Sequence, residues 1–569
     1  MPLPRTAEVP MDFAALVDEL LADYYRLQPA DATALGFHEH DDRWPDLTDA
    51  GRADWSAWLA TAEARVVAVD TGSLTRDEAI DRRFLLDNLA AMRFAQDELR
   101  DRAWNPISYV YLFGGTLFTM LSREYAPLPD RLRAVAARLR GLPAALDGAR
   151  QALGAPGGRP VSRFHAEKTV ERMPGVADLV ALAVSEAEGV GDPALRAEVQ
   201  AAAEVATSAL DAWVAWVRIE LVPSATGDFR LGPELYAAKF RHSLKTVLTP
   251  AQLETRALAE YDAVRAEMTR IARRIWPDWM GSTEPPADDD AAVRAVLDAI
   301  AVDHPAADEL LDYCRAENTR IEAFVAERDL IGLADEPLKI IWTPTFARAF
   351  GGAMLIPPGP LDRGLDSFFA ITPVNPEWPP ERQESYLRED NARMLRLLTI
   401  HEAVPGHYLQ LAYSNRCPSL VRGIFGSGVF AEGWAVYITQ VMMDLGYGAD
   451  DPALMLVHWK FYLRAATNAL MDMRIHAGTM SEDEAMALMV DGGFQEFGEA
   501  TAKWDRARLS STQLCEYFLG SVGMHDLERE ARLRAEGEGS EFVYRPYLES
   551  VLAHGTPSLP VIREILFGE

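Results

Sequence analysis

The stretch Thr399-Ile-His-Glu-Ala-Val-Pro-Gly-His-Tyr-Leu-Gln410 decides how the chain is interpreted. It resembles the H-E-x-x-H pattern of metal-binding helices, but its second histidine comes two residues late. On a regular helix, residues i and i+4 point about 40° apart, so both imidazoles reach one ion. His401 and His407 are six positions apart, and on a straight helix they would diverge by about 120°.

The residues Pro405 and Gly406 account for the extra spacing. Proline has no N–H to donate to the carbonyl of His401, and its ring clashes with that carbonyl. Glycine accepts backbone angles that other residues resist. A two-residue bulge at this point would return His407 to the direction of an i+4 residue. We therefore predict a distorted, buried helix with His401 and His407 as metal ligands, rather than a pair of core histidines.

A site of this type needs a third protein ligand and an open position for water. The best candidate is Glu432 in Phe430-Ala-Glu-Gly-Trp-Ala-Val-Tyr437, 25 residues after His407 and at the start of an apolar helix. Its small neighbours would allow another helix to approach closely. The alternative is a glutamate placed there only by the helix dipole. Glu402, next to the first histidine, is the candidate general base that takes a proton from metal-activated water.

Composition excludes several classes of protein and site. The net charge of −30, from 56 Lys and Arg against 86 Asp and Glu, argues against nucleic acid or an anionic membrane as partner. The three cysteines are widely spaced, which argues against a disulfide framework and a thiolate metal site. The N-terminal sequence has no apolar signal region, so we expect a cytoplasmic protein.

Helical periodicity dominates the chain, and it is clearest in Met11–Gln28, Ala79–Arg102, Pro129–Leu153, Pro193–Val222, Pro250–Trp276 and Ala292–Leu330. Short apolar runs bounded by Pro and Gly predict strands at Leu338–Trp342, Ala353–Ile356 and Phe368–Ile371. We therefore predict a mainly α protein with one small β-sheet beside the motif helix.

HEAVPGHYLQ followed by AEGWAVY resembles the bacterial DUF885 family, whose members are similar to zincin metallopeptidases of the gluzincin type. The resemblance runs from about Phe13 to the C-terminus and implies a zincin-like helical clamshell. It implies one Zn²⁺ per chain held by His401, His407 and Glu432, with Glu402 as general base. We expect a mostly helical half, residues 1–335, forming the lid or scaffold side of a cleft, and a zinc-binding catalytic half, residues 336–569.

Two downstream segments extend the resemblance. Asp472-Met-Arg-Ile-His476 is similar to the family's D-x-G-x-H, with Arg474 in place of glycine, and Gln513–Gly520 resembles its P-G-Q-A-x-x-Y-x-x-G. The second segment implies Tyr517 as donor to an oxyanion, with a core tyrosine as the alternative. The remaining candidates for contacting substrate or orienting the ligands are Asp472, His476, Arg474 and Tyr437. A structural hydrogen bond and a surface arginine are the alternatives for the first three.

The leading hypothesis is a zinc-dependent hydrolase that cleaves peptide bonds of small peptides with metal-activated water. In zincins an edge strand receives the peptide, so either Ala353–Ile356 or Phe368–Ile371 is expected to do so. Three alternatives remain: an amidase or deacylase acting on a non-peptide metabolite, a non-haem iron oxygenase using the same three ligands, and a non-catalytic binding protein. The expected partner is a small peptide or amide, without nucleic acid or membrane.

Overall fold

The chain forms two compact units in a computed structural model that describes residues 12–155, 158–343, 348 and 352–568. Unit 1 comprises Met1–Phe229, Pro358–Leu365 and Ser419–Phe425, and unit 2 comprises Arg230–Pro357, Asp366–Pro418 and Gly426–Glu569. The boundary expected after residue 335 is therefore not where the structure divides. The helices between Pro250 and Glu327 group with the motif helices because they pack on the same core.

Unit 1 is helical. Its helices are α1 (Phe13–Leu27), α2 (Pro29–Leu35), α3 (Asp49–Val67), α4 (Arg76–Phe94), α5 (Asp101–Trp104), α6 (Ile107–Ser122), α7 (Leu128–Leu153), α8 (Arg163–Arg172), α9 (Pro174–Gly189), α10 (Pro193–Trp216), α11 (Val222–Ser224) and, from a later part of the chain, α19 (Leu420–Ile424). Short π-helical turns extend α4 and α10 at Ala95–Leu99 and Val217–Leu221.

Unit 2 contains the remaining helices and the strands. Its first helices and strands are α12 (Pro233–Leu244), α13 (Pro250–Met280), α14 (Asp289–Ala301), α15 (Leu310–Glu327), β1 (Leu338–Trp342), β2 (Ala353–Ile356), β3 (Ser367–Ile371) and α16 (Pro380–Glu389). The others are α17 (Ala392–Glu402), α18 (His407–Ser414), α20 (Gly428–Asp444), α21 (Pro452–His476), α22 (Glu482–Ala487), α23 (Phe497–Leu509), α24 (Cys515–Glu538), α25 (Tyr544–Leu552) and α26 (Leu559–Phe567).

The three strands form one sheet in the order β1-β3-β2. β1 pairs with β3 in parallel, with Ile340 opposite Phe369, and β2 pairs with β3 antiparallel, with Leu355 opposite the same Phe369. β3 is therefore the central strand and β2 lies at an edge. The prediction of a mainly α protein with one small sheet is confirmed, and the strands lie where the sequence predicted them.

Side-chain caps set where the helices that carry His401 and Glu432 begin. Asn391 Oδ1 accepts hydrogen bonds from the backbone N–H groups of Arg393 and Met394 at the start of α17. The Ser427 hydroxyl accepts from the Phe430 N–H at the start of α20. Such caps satisfy N–H groups that the first turn of a helix leaves without a partner. They place His401 near the end of α17 and Glu432 in the second turn of α20.

The largest hydrophobic core of unit 2 surrounds these helices. Leu397 and Ile400 of α17 pack there with Phe430 and Trp434 of α20, and all four are buried. α17 and α20 are therefore embedded in a packed interior. Among the described helices, none is both long and apolar enough to cross a lipid bilayer.

Candidate metal centre

The motif helix breaks between the two histidines. α17 ends at Glu402, α18 begins at His407, and the four residues between them are not helical. Ala403 has φ −102° and ψ −110°, and Gly406 has φ −75° and ψ −135°. The prediction of a bulge within one continuous helix is therefore wrong. The backbone angles between α17 and α18 are not helical, so the segment forms two separate helices. The predicted cause, a distortion at Pro405-Gly406, lies in this segment.

Gly406 allows the chain to fold back tightly across the end of α17. A Cβ atom at this position would lie 2.0 Å from the carbonyl oxygen of His401 and 2.3 Å from that of Ile400. No side chain fits at those distances, so the close approach requires glycine. From α20, the indole N–H of Trp434 donates to the Pro405 carbonyl at 2.9 Å. The fold-back is thus held by a buried contact with the helix that carries Glu432.

The fold-back brings three potential metal ligands to one point. Nε2 of His407 lies 3.3 Å from Oε2 of Glu432, and Nε2 of His401 lies 3.7 Å from the same oxygen. The two imidazole rings are nearly perpendicular, with centroids 4.7 Å apart. One ligand atom from each of the three residues lies within 4.8 Å of the other two. The structure therefore brings together the three residues that the sequence predicted as ligands.

These three residues fit a zinc ion. Tetrahedral zinc with bonds of about 2.0–2.2 Å holds its nitrogen and oxygen ligands roughly 3.3–3.5 Å apart. Glu432 Oε2 is buried and receives no hydrogen bond from the described residues, which is costly for a carboxylate without a cation. Burial would raise the pKa of Glu432, but its contacts with His401 and His407 hold that pKa well below the usual range. The site therefore offers an ionised carboxylate and two imidazoles.

Glu402 lies at the junction between the motif helix and the sheet. Its side chain is buried, and its Oε2 accepts a hydrogen bond from the backbone N–H of Leu355 at 2.9 Å. Leu355 belongs to the edge strand β2, so this N–H points away from β3 and toward the motif. The candidate general base is thus adjacent to His401 and is held by one of the two strands predicted to bind a peptide.

Two glycines let α24 approach the helix that carries Glu432. A Cβ on Gly433 would lie 2.4 Å from Gly520 Cα, and one on Gly520 would lie 2.1 Å from the Val429 carbonyl oxygen. The predicted close helix approach next to Glu432 is therefore present. Tyr517 precedes Gly520 by about one turn, on the same face of α24. Tyr517 consequently lies beside the turn of α20 that bears Glu432.

The Tyr517 hydroxyl is held by two neighbours. It accepts a hydrogen bond from Nη2 of Arg506 at 2.9 Å and one from Nε2 of Gln513 at 3.4 Å. Burial and the negative charge of Glu432 raise the pKa of the Tyr517 phenol, so the phenol stays protonated at neutral pH. Its own hydrogen is not used in a hydrogen bond with a described residue. A role as oxyanion donor remains a prediction.

The family can be stated from sequence comparison. The sequence model of a family described as "bacterial protein of unknown function (DUF885)" matches residues 29–566. The chain is a member of the DUF885 family. No curated protein matches its sequence.

Two solved structures share the fold of this DUF885 chain. A candidate lipoprotein of unknown function from Shewanella oneidensis is 31% identical, with a TM-score of 0.83, covering 98% of this chain and 100% of that one. A candidate lipoprotein from Colwellia psychrerythraea is 14% identical, with a TM-score of 0.80, covering 97% and 98%. The second likeness shows the fold alone.

In this DUF885 chain, Asp472 and His476 hold the segment that leads into α24. Asp472 Oδ1 accepts hydrogen bonds from the Tyr236 hydroxyl at 2.6 Å and from the Thr512 N–H at 2.9 Å. His476 Nε2 lies 2.7 Å from the Ser510 carbonyl oxygen. These contacts anchor residues 510–512, directly before the helix that carries Tyr517. Asp472 and His476 are therefore placed to support Tyr517 rather than to meet the three ligands.

Arg474 and Tyr437 do not join the ligands. Arg474 Nε lies 2.7 Å from Oε1 of Glu254 on α13, and both side chains are about one third exposed. The Tyr437 hydroxyl donates to Oε2 of Glu528 at 2.6 Å. Tyr437 follows Glu432 by five residues, or about 140° around α20, so it faces another direction. The residue that sequence reasoning missed is Arg506, which no motif indicated.

Proposed function

We propose that this protein is a zinc-dependent hydrolase that cleaves peptide bonds of small peptides with water. The observation that carries the proposal is the convergence of His401 Nε2, His407 Nε2 and Glu432 Oε2, with the carboxyl group of Glu402 adjacent to His401. Two nitrogens, one carboxylate and a neighbouring general base are the parts that metal-assisted hydrolysis requires.

The side chains have separate roles in this mechanism. Zinc, when bound, would lower the pKa of a water toward neutrality and polarise the scissile carbonyl. Glu402 takes a proton from the attacking water and delivers it to the leaving nitrogen. The Leu355 N–H fixes the Glu402 carboxylate in position for both transfers. Tyr517 donates its hydroxyl hydrogen to the oxygen that gains negative charge.

The edge strand favours peptides over non-peptide amides. β3 is paired on both of its sides, so the predicted alternative Phe368–Ile371 offers no open edge. β2 is the edge strand nearer the motif, and its Leu355 N–H already points toward Glu402. The Leu355 N–H is occupied by Glu402, so an extended peptide would pair with the other outward-facing backbone groups of β2 and carry its backbone past the general base. A metabolite amide without an extended backbone gains nothing from this edge.

We propose the cytoplasm as the location. The two structural relatives are described as candidate lipoproteins, which raises lipid attachment at a membrane surface as the alternative. Detergent-free fractionation of cells expressing the complete natural gene separates these locations. Recovery in the soluble fraction supports the cytoplasm, and recovery with membranes supports lipid attachment.

The test of function is cleavage of a pooled library of short peptides by the zinc-loaded protein, with products identified by mass spectrometry. We expect the wild-type protein to cleave members of the pool. Glu402→Gln should keep its zinc but lose roughly 10²- to 10⁴-fold in rate, because a general base contributes about that much. No cleavage by a fully zinc-loaded wild-type protein would overturn the peptidase and favour an amidase acting on a metabolite.

A further inference from the structure

Four of the cations on α21 and α23 are Lys460, Arg464, Lys503 and Arg506, and the first three have acidic partners. Lys460 and Arg464 both pair with Glu389, the former at 3.2 Å. Lys503 pairs with Glu499 at 3.4 Å. Both lysines and Arg464 are largely buried, so their charges are offset within the protein.

Arg506 is the fourth cation, and it differs from the others. Its side chain is exposed, and Nη2 donates to two neutral groups, Gln513 Oε1 at 2.9 Å and the Tyr517 hydroxyl at 2.9 Å. Among the described residues, no carboxylate oxygen lies within 4.0 Å of its guanidinium nitrogens. Since arginine has five N–H donors, Nε and Nη1 remain available. An unpaired guanidinium is notable in a chain with a net charge of −30.

We propose that Arg506 binds the C-terminal carboxylate of the substrate, so that the protein shortens peptides from their C-terminal end. This inference rests on the proposed peptidase function. The guanidinium is the group that recognises carboxylates with paired hydrogen bonds. Arg474, which the sequence analysis named among the candidates for contacting substrate, is already paired with Glu254.

The position of Tyr517 between Arg506 and the scissile carbonyl determines how far the substrate's C-terminal carboxylate lies from the cleaved bond. In the proposed mechanism, the Tyr517 hydroxyl contacts Arg506 on one side and the scissile carbonyl on the other. With hydrogen bonds of about 2.7–3.0 Å at each contact, and with the carboxylate bound at Nε or Nη1 rather than at Nη2, the scissile oxygen and the carboxylate are roughly 6–11 Å apart. An extended residue spans about 3.3–3.6 Å. The product released from the C-terminus is therefore a fragment of one to three residues.

The experiment uses pooled tetrapeptides without Asp or Glu, made once with a C-terminal carboxylate and once with a carboxamide. We expect the wild-type protein to cleave the acids with a kcat/KM about 10- to 100-fold above that of the amides. Arg506→Gln should bring this ratio close to one, and Arg506→Lys should restore part of it. Arg529→Gln, which removes an ion-paired surface arginine of α24, should keep the wild-type ratio.

The acid-to-amide ratio separates recognition from a structural effect. Loss of the Arg506 hydrogen bond to Tyr517 would slow both series equally and leave the ratio unchanged. Equal cleavage of acids and amides by the wild-type protein would overturn the inference while leaving the peptidase intact. Adding Asp or Glu to the carboxamide series tests the other source of a carboxylate. If these peptides were cleaved as fast as the acids, C-terminal recognition would be excluded.

A binding measurement distinguishes this inference from the proposed function. Zinc-loaded Glu402→Gln protein is immobilised and offered both pools, and the retained peptides are identified by mass spectrometry. Preferential retention of the acids that disappears in Glu402→Gln with Arg506→Gln supports the inference even if no peptide is cleaved. Equal retention of acids and amides would contradict it.

Discussion

Two histidine–carboxylate clusters, one in each unit, differ in whether their buried polar atoms have hydrogen-bond partners. In unit 1, Nδ1 of His38 lies 2.9 Å from Asp41 Oδ2, and Nε2 lies 3.0 Å from Asp362 Oδ1. The Tyr125 ring stacks on the imidazole, and its hydroxyl donates to Asp41 at 2.6 Å. In unit 2, Glu432 Oε2 faces two imidazoles but receives no hydrogen bond from the described residues.

The difference distinguishes a structural cluster from a proposed metal site of similar composition. His38 uses both ring nitrogens on carboxylates, so nothing in its cluster points to a missing partner. It ties the inserted segment Pro358–Leu365 to the rest of unit 1. His401 and His407 instead direct Nε2 atoms toward one buried oxygen. Convergence without hydrogen bonding leaves charge for a cation to neutralise.

The largest expected effect is on zinc binding. Glu432→Gln keeps the size of the side chain but removes the ligand charge, so we expect zinc affinity to fall at least about 100-fold. Zinc per chain after dialysis, measured by mass spectrometry of the metal, should drop from one to near zero. Asp362→Asn, the corresponding change in the His38 cluster, should leave zinc content unchanged. One zinc per chain in Glu432→Gln would place the third ligand elsewhere.

The proposed metal site should also depend on the backbone between His401 and His407. Gly406→Ala forces a methyl group against the His401 carbonyl oxygen, and we expect a loss of about 3 kcal/mol in the free energy of unfolding. Urea unfolding of the metal-free protein measures this cost. Gly115→Ala is the control, because its Cβ meets no atom within 4 Å, and it should stabilise α6 by about 0.5–1 kcal/mol. Equal effects of the two changes would contradict the tight fold-back.

Removing the hydroxyl should lower turnover at Tyr517, beside the proposed metal site, but only stability at Tyr125, beside His38. Tyr517→Phe should reduce kcat by roughly 10²-fold at unchanged zinc content, because it removes a donor to the oxyanion. Tyr125→Phe should leave kcat unchanged and cost about 1 kcal/mol of stability, because it removes a structural hydrogen bond to Asp41. Unchanged turnover in Tyr517→Phe would make Tyr517 a structural residue.

Local sequence patterns located the three strands and the segments that contain His401, His407 and Glu432, because each of these patterns is complete within a few residues. Pro405 and Gly406 predict a break in helix geometry wherever they occur, and bounded apolar runs predict short strands. The structure confirms the three strands and brings His401, His407 and Glu432 together.

The remaining features depend on packing between distant segments. The contact of Arg506 with Tyr517 joins α23 to α24, and the residues between these helices are anchored to α21 by the hydrogen bond from the Thr512 N–H to Asp472. The boundary near residue 335 was wrong because α13 and α14 bury their apolar faces in the core that surrounds the motif. Neither relation has a signature within a short window of sequence.

A further predicted effect is a pH dependence of stability that belongs to the His38 cluster. Burial would lower the pKa of His38, but hydrogen bonds and charge from Asp362 and Asp41 raise it from 6.5 to about 9. A folded-state pKa above the unfolded value means that the stabilisation is complete below about pH 6.5 and is lost as the pH rises through 9. With solvent screening of this partly exposed ring, we expect about 1–2 kcal/mol.

The comparison of wild-type protein with His38→Gln isolates this contribution. The difference in the free energy of unfolding between the two should be about 1–2 kcal/mol at pH 6 and close to zero at pH 10. The decline must come from His38 itself, because the pKa of Asp41 is lowered and this carboxylate stays ionised across the whole interval. A difference that stays constant from pH 6 to pH 10 would mean that His38 contributes through packing against Tyr125 rather than through its charge.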